Sequence, residues 1–321
     1  MGARVVIASA AMQRVLVILA LAAAVACGGP SAKSPADAGP DLDADPLALL
    51  PGSAFLFARL DARAMFASAS VGSEVAALTD ALLPFGADAG FDAKRDVDRV
   101  VLGVYASPGA DVAAVVRGRF DQAKIAAAAS ARGGDAVVVG TYGGRTTYTV
   151  GPAMVCVLSA RTVVGGTADG VRRLLERLRD KKIERAIPPW AEETLATPDA
   201  DLALAADFTS LPVAAAALAP AHLRWLAGMH AVRIIGNFGK PGMNVAATLS
   251  YDDAQQASSA ADGMHTFDGW LKVLGPLVGG LSLQNLDVAT DGKDMKCKFS
   301  LDEQALGHLL ALAPRLLRGA P

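Results

Sequence analysis

The residues that could carry out acid–base or metal chemistry in this chain stand apart from one another. The four histidines show no His-x-x-x-His or Glu-x-x-His spacing, the pattern that places two metal ligands on one helix face. They are His222, His230, His265 and His308. There is no Gly-x-Ser-x-Gly elbow, the local signature of a serine nucleophile in many hydrolases. The sequence therefore predicts no catalytic residue, no metal site and no cofactor.

Two other groups of residues allow a functional and a structural interpretation. Asp61 and Asp207 could approach one another as paired carboxylates, but each precedes a predicted helix, where aspartate is a common N-cap. The run from Gly165 to Gly170 lies between a strand and a helix, a context that can hold a phosphate. It matches neither a Walker loop nor Gly-x-Gly-x-x-Gly. We expect helix caps at the aspartates and a tight strand-to-helix turn at the glycines.

A basic helix is predicted directly after this turn. The helix, Ala168–Arg179, turns an apolar stripe inward and leaves its basic side chains outside. The stripe consists of Val171, Leu174, Leu175 and Leu178. The residues that could contact an anion or a surface are Arg172, Arg173, Arg177 and Arg179. They could meet anionic headgroups or an acidic partner; the alternative is a solvated face paired in part with Glu176, Asp180 and Glu184.

The N-terminal segment indicates export. Arg14 precedes an apolar run from Val15 to Ala26, which is too short for the ~20 residues of a spanning helix. A positive flank, a short apolar core and small residues at its end are typical of a secretory signal. Translation could begin at Met1 or at Met12, and the second start gives the better charged leader.

The end of this segment, Ala24-Val25-Ala26-Cys27-Gly28, resembles the lipobox of bacterial lipoproteins, with Ala24 in place of the commonest Leu. The resemblance implies cleavage before Cys27, lipidation of its thiol, and anchoring by two or three acyl chains. Because Gly28 is not Asp, it also implies an outer-membrane lipoprotein facing the periplasm, with the inner membrane and the cell surface left open. A plain signal peptide cut after Ala26 would instead leave Cys27 as a free thiol.

Composition argues against a nucleic-acid partner. The chain has 30 basic and 32 acidic residues, a formal net charge of −2, and so lacks the basic excess that nucleic acid attracts. Cys156 and Cys297 both lie on apolar, strand-like segments. We expect them to be buried free thiols. The alternative is a disulfide between them, which an oxidising compartment would allow.

The predicted organisation has five parts. Residues 1–26 form the signal peptide, and residues 27–46 form a lipidated, disordered tether rich in proline, serine and aspartate. Residues 47–180 form a first α+β lobe and residues 200–321 a second, joined by a charged connector at 181–199. Both lobes show the order strand, helix, hairpin, helix, strands, helix, which favours an internal duplication.

Turn signals between the strands predict antiparallel pairing, as at Gly143-Gly144 and Asp291-Gly292. The predicted fold class is therefore α+β: two similar lobes, each an antiparallel sheet with helices packed on one face. This arrangement is similar to uncharacterised envelope lipoproteins, a likeness that implies no particular activity.

Two functions fit these features. The first is a non-enzymatic envelope lipoprotein, a binding or scaffolding module at the outer membrane that is attached to the membrane through Cys27. The alternative is a periplasmic carrier or chaperone for an apolar ligand. In that case Leu211–Leu218 and Leu223–Met229, with Trp225, would line a cavity. The sequence names neither the partner nor the ligand.

Overall fold

The computed structural model describes residues 41–68, 71–72, 86–106, 110–134, 137–209, 221–274 and 282–307. The predicted signal peptide, Cys27, the tether up to residue 40 and the segment Leu211–Leu218 lie outside these residues.

Twelve strands form the central sheet. They are β1 (Leu56–Asp61), β2 (Val97–Tyr105), β3 (Asp111–Gly118), β4 (Val138–Tyr142), β5 (Arg145–Val150), β6 (Ala153–Val157), β7 (Thr162–Thr167), β8 (Leu202–Asp207), β9 (Ala231–Gly239), β10 (Gly242–Ser250), β11 (Gln284–Asp291) and β12 (Asp294–Asp302).

The described α-helices are α1 (Ala62–Ala67), α2 (Ala93–Asp96), α3 (Gln122–Ala131), α4 (Ala168–Arg179), α5 (Pro189–Leu195) and α6 (Ala254–Leu274). Short 3-10 helices lie at Pro46–Leu49, Ala87–Ala89 and Ala221–Leu226. Residues 303–307 are also helical.

All strand pairs of the sheet are antiparallel, in the order β11-β12-β10-β9-β8-β1-β2-β3-β7-β6-β5-β4. The halves of the chain meet where β1 pairs with β8, with Leu56 opposite Ala206 and Leu60 opposite Leu202. Moving outward from this junction, β1-β2-β3-β7-β6 corresponds to β8-β9-β10-β12-β11. The repeated order predicted from the sequence is therefore present in the strand connectivity of one continuous sheet.

Each face of the sheet has its own apolar core, because alternate residues of a strand point to opposite sides. The first face carries Leu56, Ala58 and Leu60 and packs against α3 and α6. The second face carries Phe57 and packs against α4, α5 and the 3-10 helix Pro46–Leu49. Strands β2 and β3 are apolar on both sides, which is why both faces are covered there.

The predicted α+β class with antiparallel pairing is confirmed. The finer expectation of two separate sheets, each with helices on one face, is corrected in two respects. The two half-sheets are joined by the β1–β8 pair. In the first half, helices lie on both faces, because the stripe of α4 packs on the second face while Ile125 and Ala129 of α3 pack on the first. In the second half, α6 contacts β11 and β12 from the first face only.

The last residues of the predicted tether lie against the sheet. The Asp43 carboxylate accepts hydrogen bonds from the hydroxyls of Ser159 (2.7 Å) and Thr162 (2.5 Å). Asp45 caps the 3-10 helix that follows it and pairs with Arg185 at 2.5 Å. The predicted tether therefore does not extend to residue 46, because Asp43 and Asp45 already contact the folded part.

Candidate functional site

The four arginines of α4 were the residues predicted as possible anion or surface contacts, and the structure gives each of them a partner. Arg172 pairs with Asp169 at 2.9 Å and lies over the Tyr142 ring. Arg173 pairs with Asp111 at 3.1 Å and lies over the Tyr105 ring.

The other two arginines lie in the last turn of the same helix. Arg177 donates to the carbonyl oxygen of Glu184 at 3.0 Å, and Arg179 pairs with Asp180 at 3.0 Å. Glu176 accepts from the Tyr142 hydroxyl at 2.5 Å instead of binding an arginine. The basic residues of α4 therefore form a paired, half-exposed face rather than a group of free cations.

The two candidate carboxylates do not meet. Asp61 ends β1 and Asp207 ends β8, and because these strands run antiparallel, the two side chains lie at opposite ends of the pair. Asp61 is the N-cap of α1, accepting from the backbone N–H of Ala64 at 3.0 Å. Asp207 accepts from the backbone N–H of Thr209 at 2.8 Å. Asp61 therefore caps a helix as expected, and Asp207 satisfies a local backbone donor. The helix predicted after Asp207 lies outside the described residues.

The glycine run between β7 and α4 is used for close packing. A Cβ on Gly166 would lie 2.1 Å from the carbonyl oxygen of Val112, and one on Gly170 would lie 2.0 Å from the same atom. The Thr167 hydroxyl caps α4 by accepting from the backbone N–H of Gly170 at 3.2 Å. Because β3 occupies the space in front of this turn, the turn does not offer a phosphate cradle.

Cys156 and Cys297 are free and buried. Cys156 lies on β6 in the core of the second face, and Cys297 lies on β12 in the core of the first face. Seven strands separate β6 from β12, a distance of roughly 38 Å across the sheet at the usual strand spacing. Burial raises the pKa of each thiol to about 11, so both stay protonated at neutral pH.

We therefore expect the two thiols to be unreactive in the native protein and fully reactive once it is unfolded. Denatured, non-reduced protein should take up alkylating reagent on the peptides that contain Cys156 and Cys297. Native protein should react at these sites far more slowly, because reagents attack the thiolate. Peptide mass spectrometry reads both results. Peptides that become reactive only after reduction would contradict the expectation.

A shallow groove lies on the second face of the second half-sheet. Its volume is about 360 Å³, and its floor is formed by strands β9, β10 and β12. The lining combines polar side chains, Asn237, Asn244, Lys298 and Ser300, with apolar ones that include Ile235, Ala246 and Phe299. The Ser300 hydroxyl donates to Asn244 at 2.7 Å, and the backbone N–H of Asp201 donates to Asn237 at 3.2 Å. We call this surface the open face.

A second cavity lies at the end of the sheet where β2 begins and β3 ends, and it was missed from the sequence. Its lining includes Arg63, Arg99, Arg117 and Arg161. The sequence carried one signal for it. Arg99 and Arg117 lie two residues from Val101 and Val115 and so point to the same side of their strands as these valines. An apolar residue would be expected at both positions. We call this cavity the arginine pocket.

Within the described parts of the chain, no three His, Cys, Asp or Glu side chains group as a metal site. His230 lies with its Nδ1 atom 3.7 Å from Asp252, and His265 is exposed on α6. No helix among the described residues is both long enough and apolar enough to cross a membrane.

Comparison with solved structures identifies the fold. A crystal structure of TP0453 in crystal form III aligns with a TM-score of 0.53, covering 85% of this chain and 100% of that one. Crystal form I aligns with a TM-score of 0.52, covering 84% and 97%. The chain shares the fold of TP0453. At 13% sequence identity in both alignments, the likeness to TP0453 concerns the fold alone. No protein-family model and no curated protein matches the chain.

Proposed function

We propose that this chain is a non-enzymatic envelope lipoprotein, a binding or scaffolding module held at the outer membrane through Cys27, and that its partner contacts the open face. The observation that carries the proposal is the uneven coverage of the sheet. In the first half, α4 covers the second face, whereas on β10 and β12 the side chains of Asn244 and Lys298 are exposed on that face.

The chemistry of the open face suits a protein partner. Ala246 and Ile235 provide a partly buried apolar patch, and Asn244, Asn237 and Lys298 surround it with hydrogen-bonding groups. A small apolar centre with a polar rim is the usual composition of a protein–protein contact. Asn244 accepts a hydrogen bond from Ser300, and Asn237 accepts one from the backbone N–H of Asp201. These bonds fix the polar side chains, so the surface is preorganised.

Site-specific photo-crosslinking tests the open face. A benzophenone amino acid at Lys298 should crosslink a discrete partner in cells. The same residue at Lys124, an exposed position on α3, should not. Equal crosslinking from both positions, or none from Lys298, would contradict a binding role for the open face.

The anchor is tested separately. Cys27→Ser should move the protein from the membrane fraction to the periplasmic fraction and remove the acyl mass from the N-terminal peptide. The reason is that stable attachment needs two or more acyl chains, all of which depend on this thiol in the implied modification. Wild-type protein whose Cys27 carries no lipid would contradict the proposed anchor.

The alternative carrier function would need an apolar cavity near Trp225. Among the described residues the contact there is tight. The Trp225 Cβ lies only 2.3 Å from the position that a Cβ on Gly263 of α6 would take. Trp225 also packs on Phe267, with ring centroids 6.3 Å apart. A co-purifying lipid, seen by mass spectrometry of the native protein, would favour the carrier function instead.

A further inference from the structure

The arginine pocket collects positive charge from four separate segments of the chain. Arg63 comes from α1, Arg99 from β2, Arg117 from β3, and Arg161 from the turn before β7. The cavity has a volume of about 340 Å³, within the range of sites for small molecules.

Two of these arginines face each other without a carboxylate between them. Arg99 and Arg117 are direct partners in the β2–β3 register, and like charges directly opposite on neighbouring strands are destabilising. The Nη1 atom of Arg117 donates to the backbone carbonyl oxygen of Asp43, whereas its Nε atom is buried and has no hydrogen-bond partner. Arg99 is exposed and makes neither a hydrogen bond nor an ion pair with any residue that the structure describes. Burial, and then the charge of Arg99, lower the pKa of the neighbouring Arg59.

The acidic residues of the pocket are engaged elsewhere. The Asp43 carboxylate accepts from the hydroxyls of Ser159 and Thr162, and that of Asp61 caps α1. Asp98 is shared between Arg63 and Arg161. Asp61 lies opposite Arg99 in the β1–β2 register, but Arg99 makes no ion pair among the described residues. The donors of Arg99 and the Nε–H of Arg117 are therefore the groups left for an external anion.

We propose that the arginine pocket binds a phosphate group. Guanidinium groups present paired N–H donors that match phosphate oxygens, and they remain charged at any physiological pH. An oxyanion between Arg99 and Arg117 would also relieve the repulsion between them.

The ligand could be a free phosphate ester or the headgroup of a phospholipid. The pocket includes Ala44 and Pro46, next to the point where residues 27–40 would enter. Because residues 28–40 alone separate the proposed anchor from the first described residue, anchoring at Cys27 would keep the pocket near the bilayer. The lipid source rests on the proposed anchoring at Cys27, whereas the phosphate site itself does not.

Calorimetric titration with inorganic phosphate and with glycerol 3-phosphate tests the site. The mature chain carrying Cys27→Ser is used so that acylation plays no part. The double variant Arg99→Gln with Arg117→Gln should weaken binding about tenfold or more, because both charged donors are lost. The control, Arg172→Gln with Arg173→Gln, removes the same two charges from α4 and should change affinity less than twofold. Arg99→Lys should recover only part of the affinity, because lysine lacks the planar fork.

Flotation with phosphatidylcholine vesicles, with and without phosphatidic acid, distinguishes a phospholipid headgroup from a free phosphate ester as the ligand. Binding only to phosphatidic acid vesicles, with competition by glycerol 3-phosphate, assigns a lipid headgroup. Calorimetric binding without vesicle binding assigns a free ester. Absence of binding to all probes, or equal weakening by both double variants, would overturn the proposal. Should the Arg117 change prevent folding, Arg99→Gln alone decides the matter, because that side chain is exposed.

Discussion

Gly170→Ala is expected to destabilise the protein strongly, although it adds a single methyl group. The added Cβ would lie 2.0 Å from the carbonyl oxygen of Val112 and 2.4 Å from its carbon. These are backbone atoms of β3, so no side chain can rotate away, and α4 must move off the sheet. Overpacking in a well-packed interior typically costs about 1–3 kcal/mol, and we expect the upper end of that range in urea unfolding.

Gly269→Ala is the matched control, because it makes the same chemical change on another helix. Gly269 lies within α6, and a Cβ there would have no atom within 4 Å. Alanine in an open helical position is favoured over glycine by roughly 0.5–1 kcal/mol, so this variant should be slightly more stable than the wild type. Two variants with changes of the same sign would contradict the packing described for α4.

Leu175→Ala should reduce the free energy of unfolding by roughly 2–5 kcal/mol, because it removes apolar contacts and leaves a cavity. Leu175 is only 1% exposed and packs with Leu174 and Val171 in the core of the second face. Urea unfolding measures the change, and the folded protein should keep its far-ultraviolet circular dichroism.

The other side of the same helix provides the comparison. Arg172→Gln with Arg173→Gln removes two ion pairs whose arginine side chains are 45% and 44% exposed. Exposed pairs contribute less than about 1 kcal/mol each, so this double variant should unfold at nearly the wild-type urea concentration. A loss as large as that of Leu175→Ala would mean that these arginines are structural.

Local features of the sequence were sufficient to predict the elements that surround α4. The helix has the bounds expected from its apolar stripe, and Thr167, which lies within the glycine run, caps it. Helix α3 likewise begins directly after Asp121, whose side chain caps it by accepting from the backbone N–H of Lys124. In both cases the periodicity and the cap lie within one short stretch, and tertiary contacts reinforce the local preference.

Features that join distant parts of the chain could not be predicted in this way. The pairing of β1 with β8 depends on which strand edges meet, and nothing in either strand encodes its partner. Helix α5 lies in the predicted connector. Its buried residues, Ala191 and Leu195, stand among charged residues, so the sequence shows no clear apolar stripe there. The arginine pocket is assembled from four segments, so only the folded chain brings its residues together.

The β1–β8 junction also determines the order in which the protein can complete its folding. β1 lies near the start of the described chain, and its second neighbour, β8, is made only after the whole first half. Contacts between positions so far apart form slowly, because a long loop must close first. Until β8 has paired with it, β1 is an edge strand with unpaired backbone groups and the apolar Phe57. Such an edge can pair with strands of other chains. A chain that has completed only its first half would therefore be most exposed to aggregation.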